Sequence, residues 1–269
     1  MGPKTFVLYH ANCADGFGAA FAAWLKLGTE AVYIPVAYEK AMPEIEDGSD
    51  VYLVDFSYSR AELEALKARV RTLVVLDHHA TAEAELADLP FAHFERQKCG
   101  AVMAWEYFHP NEPIPGLFRY VQDRDLWLWQ LPDAREICAG LDLYPFEFEL
   151  WRGLQLETLR AEGTIALRMQ KQIVDRTARR AFWCELGGYR VPVANATAFG
   201  GEVANRLLEL YPEAPFAAFY AEKDGLRSWG LRSRPTFDCS AIATSKGGGG
   251  HKTAAGFRER IQSSAPALA

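Results

Sequence analysis

The chain has 269 residues, 49% apolar and 24% charged, which is enough to fill two cores of ordinary size. Its net charge of −6 argues against a protein that tracks long nucleic acid, since phosphate neutralisation supplies most of that affinity. A small anionic substrate held through metal ions fits this balance better, and a local basic cleft remains compatible with it. Five scattered cysteines (Cys13, Cys99, Cys138, Cys184 and Cys239) form no CxxC pair, which argues against a disulfide framework and a zinc ribbon. No stretch reaches the roughly 20 apolar residues of a membrane span. Residues 1–5 lead straight into an apolar run with no signal-peptide pattern. The expectation is a reduced, soluble, cytoplasmic protein with no membrane contact.

Residues 6–9 form a short apolar run, followed by a polar turn and a helical stretch over 17–27. Further strand-like runs follow at 31–37, 51–55 and 72–76, with a helical pattern over 60–70 between the last two. Strands alternating with helices predict an α/β unit with a parallel sheet. Ligands of such sheets gather at the carboxyl ends of the strands. His10, Asp55 and the triplet Asp77-His78-His79 each stand at such an end, so one rim should carry them all.

After Leu141 the pattern changes. Residues 154–182 read as one long helix charged on one side. From about Gly187 a smaller α+β unit is expected, with strands at 189–194, 216–221 and 228–232 and a helix at 201–210. A glycine-rich loop over 245–251 closes it, and the tail 262–269 is small and polar enough to fray.

Four segments are rich in metal-type ligands: His10 to Gly16, Val54 to Ser57, Leu76 to His79, and Asp123-Arg124-Asp125 beside Trp127 and Trp129. Carboxylates mixed with imidazoles suit Mn²⁺ or a similar ion better than a zinc thiolate site. Several carboxylates on one rim repel strongly unless cations sit among them. Two ions roughly 3.5–4 Å apart can activate a water and stabilise charge at an attacked phosphorus.

The chain resembles the DHH phosphoesterase superfamily with its DHH-associated C-terminal domain. Within that superfamily it is most similar to the small bacterial, oligoribonuclease-like enzymes that hydrolyse nano-RNA. The residues carrying the resemblance are His10 with Asp15-Gly16, Asp55, Asp77-His78-His79, Asp123 with Asp125, and Gly247 to His251 followed by Ala254-Ala255-Gly256. The resemblance implies an α/β fold: an N-terminal parallel-sheet DHH domain with helices on both faces (1–150) and a helical linker (151–186). A smaller α+β substrate-binding domain (187–262) and a tail (263–269) would follow.

It also implies two Mn²⁺ ions, with Mg²⁺ or Co²⁺ as substitutes. Asp55 would bridge them, His10 and Asp15 would help hold them, and His78 with Asp123 or Asp125 would complete the second site. Asp77 would orient a histidine from behind, and His79 would face the phosphate, so that His79, Asp55 and Asp77 form the catalytic set. The backbone at Gly248, Gly249 and Gly250 would approach the phosphate or sugar, with His251 as a donor and Arg232 as a phosphate clamp. A cleft between the domains would close over the nucleotide.

The implied activity is hydrolysis of short RNA or DNA oligonucleotides to mononucleotides, extended to 3′,5′-bisphosphonucleotides. Single-strand DNA exonuclease and cyclic dinucleotide phosphodiesterase stand as enzymatic alternatives, a nucleotide sensor as the non-enzymatic one, and a homodimer is left open. Many superfamily members carry a histidine, then an aspartate, then a second aspartate two residues later. Here Cys13 takes the place of the first aspartate, and His10 lies one residue closer. Plainer readings stand beside these. His93 and His109 read as surface or structural, Asp123 or Asp125 as a helix cap, Trp127 and Trp129 as packing, and Arg232 as a partner of Asp238.

Overall fold

The computed structural model describes residues 4–38 and 40–261, so the expected tail at 263–269 lies outside the described residues. The chain divides into two compact units, 1–166 and 167–269.

The first unit opens with β1 (Thr5–His10) and α1 (Ala14–Leu27). β2 (Ala31–Val36), β3 (Asp50–Val54), α2 (Arg60–Lys67), β4 (Thr72–Asp77), α3 (Ala80–Leu86) and β5 (Ala92–Phe94) follow. The five strands form one parallel sheet in the order β2-β1-β3-β4-β5. One face is covered by a core that includes Phe17, Phe21 and Trp24 of α1. The other is covered by Leu63 and Leu66 of α2 and Leu86 of α3. The strand order reverses between β1 and β3, because the chain leaves β1 toward β2 and returns past it. That reversal opens a crevice at the strand ends, where open α/β sheets place their ligands. His10 ends β1, Asp55 follows β3 and Asp77 ends β4.

Five helices then close the first face: α4 (Gly100–Phe108), α5 (Gly116–Asp125), α6 (Ala134–Leu141), α7 (Phe148–Gly153) and the start of α8 (Leu156–Ala178). Helix α1 is buried from Ala14 to Trp24, and its small alanines permit the close approach of α4, which packs against both α1 and the sheet. A Cβ on Gly18 would lie 2.9 Å from that of Ala101, which shows how closely the two helices approach.

The stretch 154–182, expected to be one helix, differs at both ends. The helix starts at Leu156 and stops at Ala178, and Phe182 opens a strand of the second sheet. Helix α8 is also shared between the two cores, with Leu159 in the first unit's and Val174 and Ala178 in the second's.

In the second unit, β6 (Phe182–Leu186), β7 (Tyr189–Asn195), α9 (Gly200–Leu210), β8 (Phe216–Lys223), β9 (Leu226–Ser233), α10 (Ser240–Ser245), β10 (Gly249–His251) and β11 (Ala254–Arg260) build a six-stranded sheet. Its order is β10-β11-β9-β8-β7-β6, antiparallel except for β7 with β8. The end of the glycine-rich stretch is thus an edge strand paired with β11, where a loop was expected. All five cysteines are free, and among the described residues no helix is long and apolar enough to cross a membrane.

Candidate metal centre

Three tight backbone features put donors at the crevice. After β1, Asn12 adopts a left-handed φ of 62°. Cys13 then caps α1, its Sγ accepting from the Gly16 N–H at 3.2 Å. A Cβ on Gly16 would lie 2.2 Å from the His10 carbonyl oxygen, so only glycine lets the first turn of α1 close on the end of β1. After β3, Asp55 also takes a left-handed φ, 56°, pinned by its N–H donating to Leu76 O at 2.9 Å. Aspartate is one of the few side chains that tolerate that region.

Asp55 is the hub. Its Oδ2 lies 3.6 Å from both His10 Nδ1 and Cys13 Sγ, and its Oδ1 lies 3.2 Å from His78 Nε2. Despite that closeness Oδ1 is buried and accepts no hydrogen bond of acceptable geometry, so His78 is a charge partner rather than a donor. His78 Nε2 also stands 3.6 Å from Asp15 Oδ2 and 3.6 Å from Asp125 Oδ2. Three donor triads result: His10-Cys13-Asp55, Asp55-His78-His79 and Asp15-His78-Asp125, each with its atoms within 4.8 Å of one another. Asp55 and His78 each belong to two of them.

The electrostatics match a site built around cations. Burial, then the charges of Asp55 and Asp125, push Asp15 well above the usual carboxylate range. Burial likewise raises Asp125. Burial alone would also raise Asp55, but the imidazoles of His10 and His78 hold it down at about 2. His78 is the converse case. Burial would lower it, yet Asp55, Asp15 and Asp125 take it to about 9. In this arrangement a protonated imidazole supplies part of the positive charge that the carboxylates require. The donor set of imidazole nitrogens and carboxylate oxygens fits a divalent ion such as Mn²⁺, and the unpartnered Oδ1 of Asp55 gives such an ion a ready ligand atom.

Asp77 is fully committed elsewhere. Its Oδ1 accepts from the N–H groups of His78 and His79 at 2.8 and 3.2 Å and faces His79 Nδ1 at 2.6 Å. Its Oδ2 accepts from Ser57 Oγ at 2.6 Å. With both oxygens occupied and no exposure, Asp77 orients His79. Asp15 is fixed from another direction, its two oxygens accepting from the N–H groups of Gly100 and Ala101 at 2.7 and 2.8 Å. Those groups are the free donors at the start of α4.

Asp123, expected as an alternative ligand to Asp125, lies outside the three triads. Its carboxylate turns away from the triads and accepts from the N–H groups of Gln130 and Leu131 at 2.9 and 3.2 Å. Asp125 alone of the pair reaches the cluster. The sequence carries no local signal for the parts played by Gly100 and Ala101, and Ser57 stands in it only as the end of the Val54 to Ser57 segment. His109 is buried and structural, its Nε2 at 2.9 Å from the Ala22 carbonyl, while His93 lies exposed on β5.

The expected substrate residues gather within the second unit. Arg232 on β9 is in register with Ala254 of β11, and His251 with Ala254 across the adjoining pair. Gly248 could carry no side chain, since a Cβ would lie 2.1 Å from Gly256 O, and Gly250 adopts a φ of 138°. Asp238 accepts from Ser240 Oγ, and among the described residues Arg232 pairs with no carboxylate, so it is not the partner of Asp238.

Cys13 tests how far the thiol takes part. Burial, then the charge of Asp55, pushes it up to about 12, so without metal it stays protonated. Mn²⁺ prefers oxygen and nitrogen to sulfur, and serine caps helices well. Cys13→Ser is therefore expected to keep the fold, most bound manganese and most activity. Loss of one metal equivalent per chain by elemental analysis would make the thiol a ligand.

No protein-family model matches the chain. It is 32% identical over 279 residues to the uncharacterized protein R106 of Acanthamoeba polyphaga mimivirus, covering 93% of this chain and 66% of that one. The chain thus spans just under two thirds of that relative. Among solved structures, the pGpG-specific phosphodiesterase PggH from Vibrio cholerae superposes with a TM-score of 0.55 at 12% identity, covering 96% of this chain and 94% of that one. The DHH domain of a member of a family of ribosomal proteins superposes with a TM-score of 0.50 at 14% identity, covering 97% and 83%. The fold is that of the DHH-domain proteins.

Proposed function

We propose that this chain is a metal-dependent phosphodiesterase that hydrolyses short oligonucleotides to mononucleotides with two divalent cations, Mn²⁺ first among them. One observation carries the reading. Asp55 belongs to two adjoining donor triads, and its buried Oδ1 lacks a hydrogen bond. A buried carboxylate oxygen left in that state costs free energy that a shared cation recovers. His10 and Asp55 would hold one ion, and Asp55, His78, Asp15 and Asp125 the other. Bound there, divalent ions supply Lewis-acid stabilisation of phosphoryl charge and activation of water.

The chain's own residues do the rest. The N–H groups of Gly100 and Ala101 lock the Asp15 carboxylate, and the left-handed turn at Asp55 aims its carboxylate into the cluster. Asp77 Oδ1 lies 2.6 Å from His79 Nδ1 and favours the protonated imidazole, whose Nε2–H would then donate to a phosphoryl oxygen. In the second unit, Arg232 and the glycine backbone at 247–250 offer groups that would bind a phosphate or sugar. A 3′,5′-bisphosphonucleotide would offer a phosphomonoester to the same cations and is a further expected substrate.

The test is turnover of labelled dinucleotides (pGpG among them, after the specificity in the name of PggH), longer oligomers, bisphosphonucleotide and pyrophosphate, with Mn²⁺ and with chelator. In a chain of net charge −6, kcat/KM is expected to fall as the strand lengthens and to vanish with chelator. Polynucleotide cleaved as efficiently as dinucleotide would sink the short-substrate reading. Cleavage of pyrophosphate alone would sink the diester reading.

A further inference from the structure

The first unit carries a cavity of about 430 Å³ lined by Cys13, Asp15 and Asp125 of the donor cluster together with Arg124, Trp127 and Phe146. It therefore opens directly onto the metal-type ligands, and its volume suits one nucleoside-sized group. The aromatic wall is unusual. Trp127 is 74% exposed and adopts a φ of 57°, a left-handed conformation that bulky side chains rarely take.

The loop that imposes this conformation is held from below by Asp123. The Asp123 carbonyl accepts from the N–H groups of Leu128 and Trp129 at 2.9 and 3.3 Å, and its carboxylate accepts from the next two. Trp129, itself left-handed, meets the Trp127 ring edge-on at 5.2 Å and is covered by the Arg135 guanidinium at 4.5 Å. Phe146 is 43% exposed, and its ring stacks on Phe17 at 5.1 Å. Two apolar rings are thus fixed in position and left uncovered beside the cluster. Strain maintained by its surroundings in this way concentrates at ligand sites. The charge of the wall disfavours an anionic guest, because Arg124 Nη1 is already spent on Asp142 at 2.7 Å and the other charged groups are carboxylates, and the exposed rings suit a flat apolar face.

We propose that this cavity is a base subsite. The nucleobase of the nucleotide whose phosphate lies at the cluster stacks on Trp127, with Phe146 as a second apolar wall. The assignment of the phosphate rests on the phosphodiesterase reading; the aromatic pocket itself does not. Stacking on an indole tolerates any base, so the subsite selects nucleotides over other phosphoesters without reading sequence.

Two measurements separate the ideas. In chelator, equilibrium dialysis with labelled adenosine, which carries no phosphate, is expected to show saturable binding to the wild-type chain. Ribose should not compete. Binding should be lost in Trp127→Ala and retained in Trp127→Phe. With Mn²⁺, the kcat/KM ratio of a dinucleotide to its abasic analogue is expected to fall in Trp127→Ala by roughly 5- to 150-fold, the span of one base–aromatic stack. That loss should sit in KM, and Trp127→Phe should recover most of it. Unchanged adenosine binding in Trp127→Ala, or an unchanged ratio, overturns the subsite. Trp127-dependent adenosine binding by a chain that hydrolyses no phosphodiester supports the pocket and overturns the phosphodiesterase reading instead.

Discussion

Replacing Asp55 is expected to abolish turnover, lowering kcat by at least about 10³-fold, the scale set by removing a single transition-state charge stabiliser. Two features make Asp55 the most sensitive position. It sits in two donor triads, so its loss opens both. Its buried Oδ1 has no hydrogen bond that would make it serve the fold instead. Asp55→Ala also places a Cβ-bearing residue without a local polar side chain at a φ of 56°, which adds a backbone cost unrelated to metal. Asp55→Asn is the cleaner variant, because asparagine tolerates that region and keeps the shape while removing the charge. Thermal unfolding reads out the same event without catalysis. Metal at 100 times its Kd stabilises the wild type by about 2.7 kcal/mol, and that increment should be largely lost in Asp55→Asn. The metal-free midpoint should fall modestly, because His10 and His78 lose the charge they pair with, a loss partly offset as Asp15 and Asp125 lose a repelling neighbour. Full activity in Asp55→Asn, or an undiminished metal-induced shift, would remove the two-metal model.

The rim of the sheet was legible because its signal is local. His10, Asp55 and Asp77-His78-His79 each follow a run of β-branched or apolar residues, and the strand-end rule turns that adjacency into a shared location. What was not legible depends on contacts across long stretches of chain. Asp15 is anchored by N–H groups of Gly100 and Ala101, and nothing near Asp15 announces them. Helix α4 escaped notice because its sequence, GAVMAWEYF, is apolar almost all round and carries no amphipathic period. Asp123 and Asp125 could not be told apart by spacing. On a helix they point about 200° apart, so one must face away from the cluster, but which one depends on how α5 packs. The overlong helix at 154–182 has a related cause. Arg179 and Arg180 continue the charged pattern, and the strand that starts at Phe182 owes its state to pairing with β7.

The anchoring by α4 gives the last expectation. Gly100→Ala should cost activity about as severely as loss of a ligand-orienting group, on the order of 10- to 100-fold, although residue 100 carries no chemistry. A Cβ there would lie 2.4 Å from Asp55 Cβ, 2.8 Å from its Cγ and 2.9 Å from its Oδ1. One of the two must move. Asp55 is held by its N–H bond to Leu76 O, and Gly100 by its own N–H bond to Asp15 Oδ2. If Asp55 yields, its carboxylate swings out of both triads. If α4 yields, Asp15 loses its two donors and shifts relative to His78 and Asp125. Either movement reaches the cluster, so metal affinity should fall together with kcat. Overpacking of this kind costs typically 1–3 kcal/mol, and metal-free stability should drop by that order. Gly153→Ala serves as the control, because nothing lies within 4 Å of its added methyl group. A Gly100→Ala protein that binds manganese and turns over like the wild type would show that the close packing of α4 against Asp55 does not set the geometry of the site.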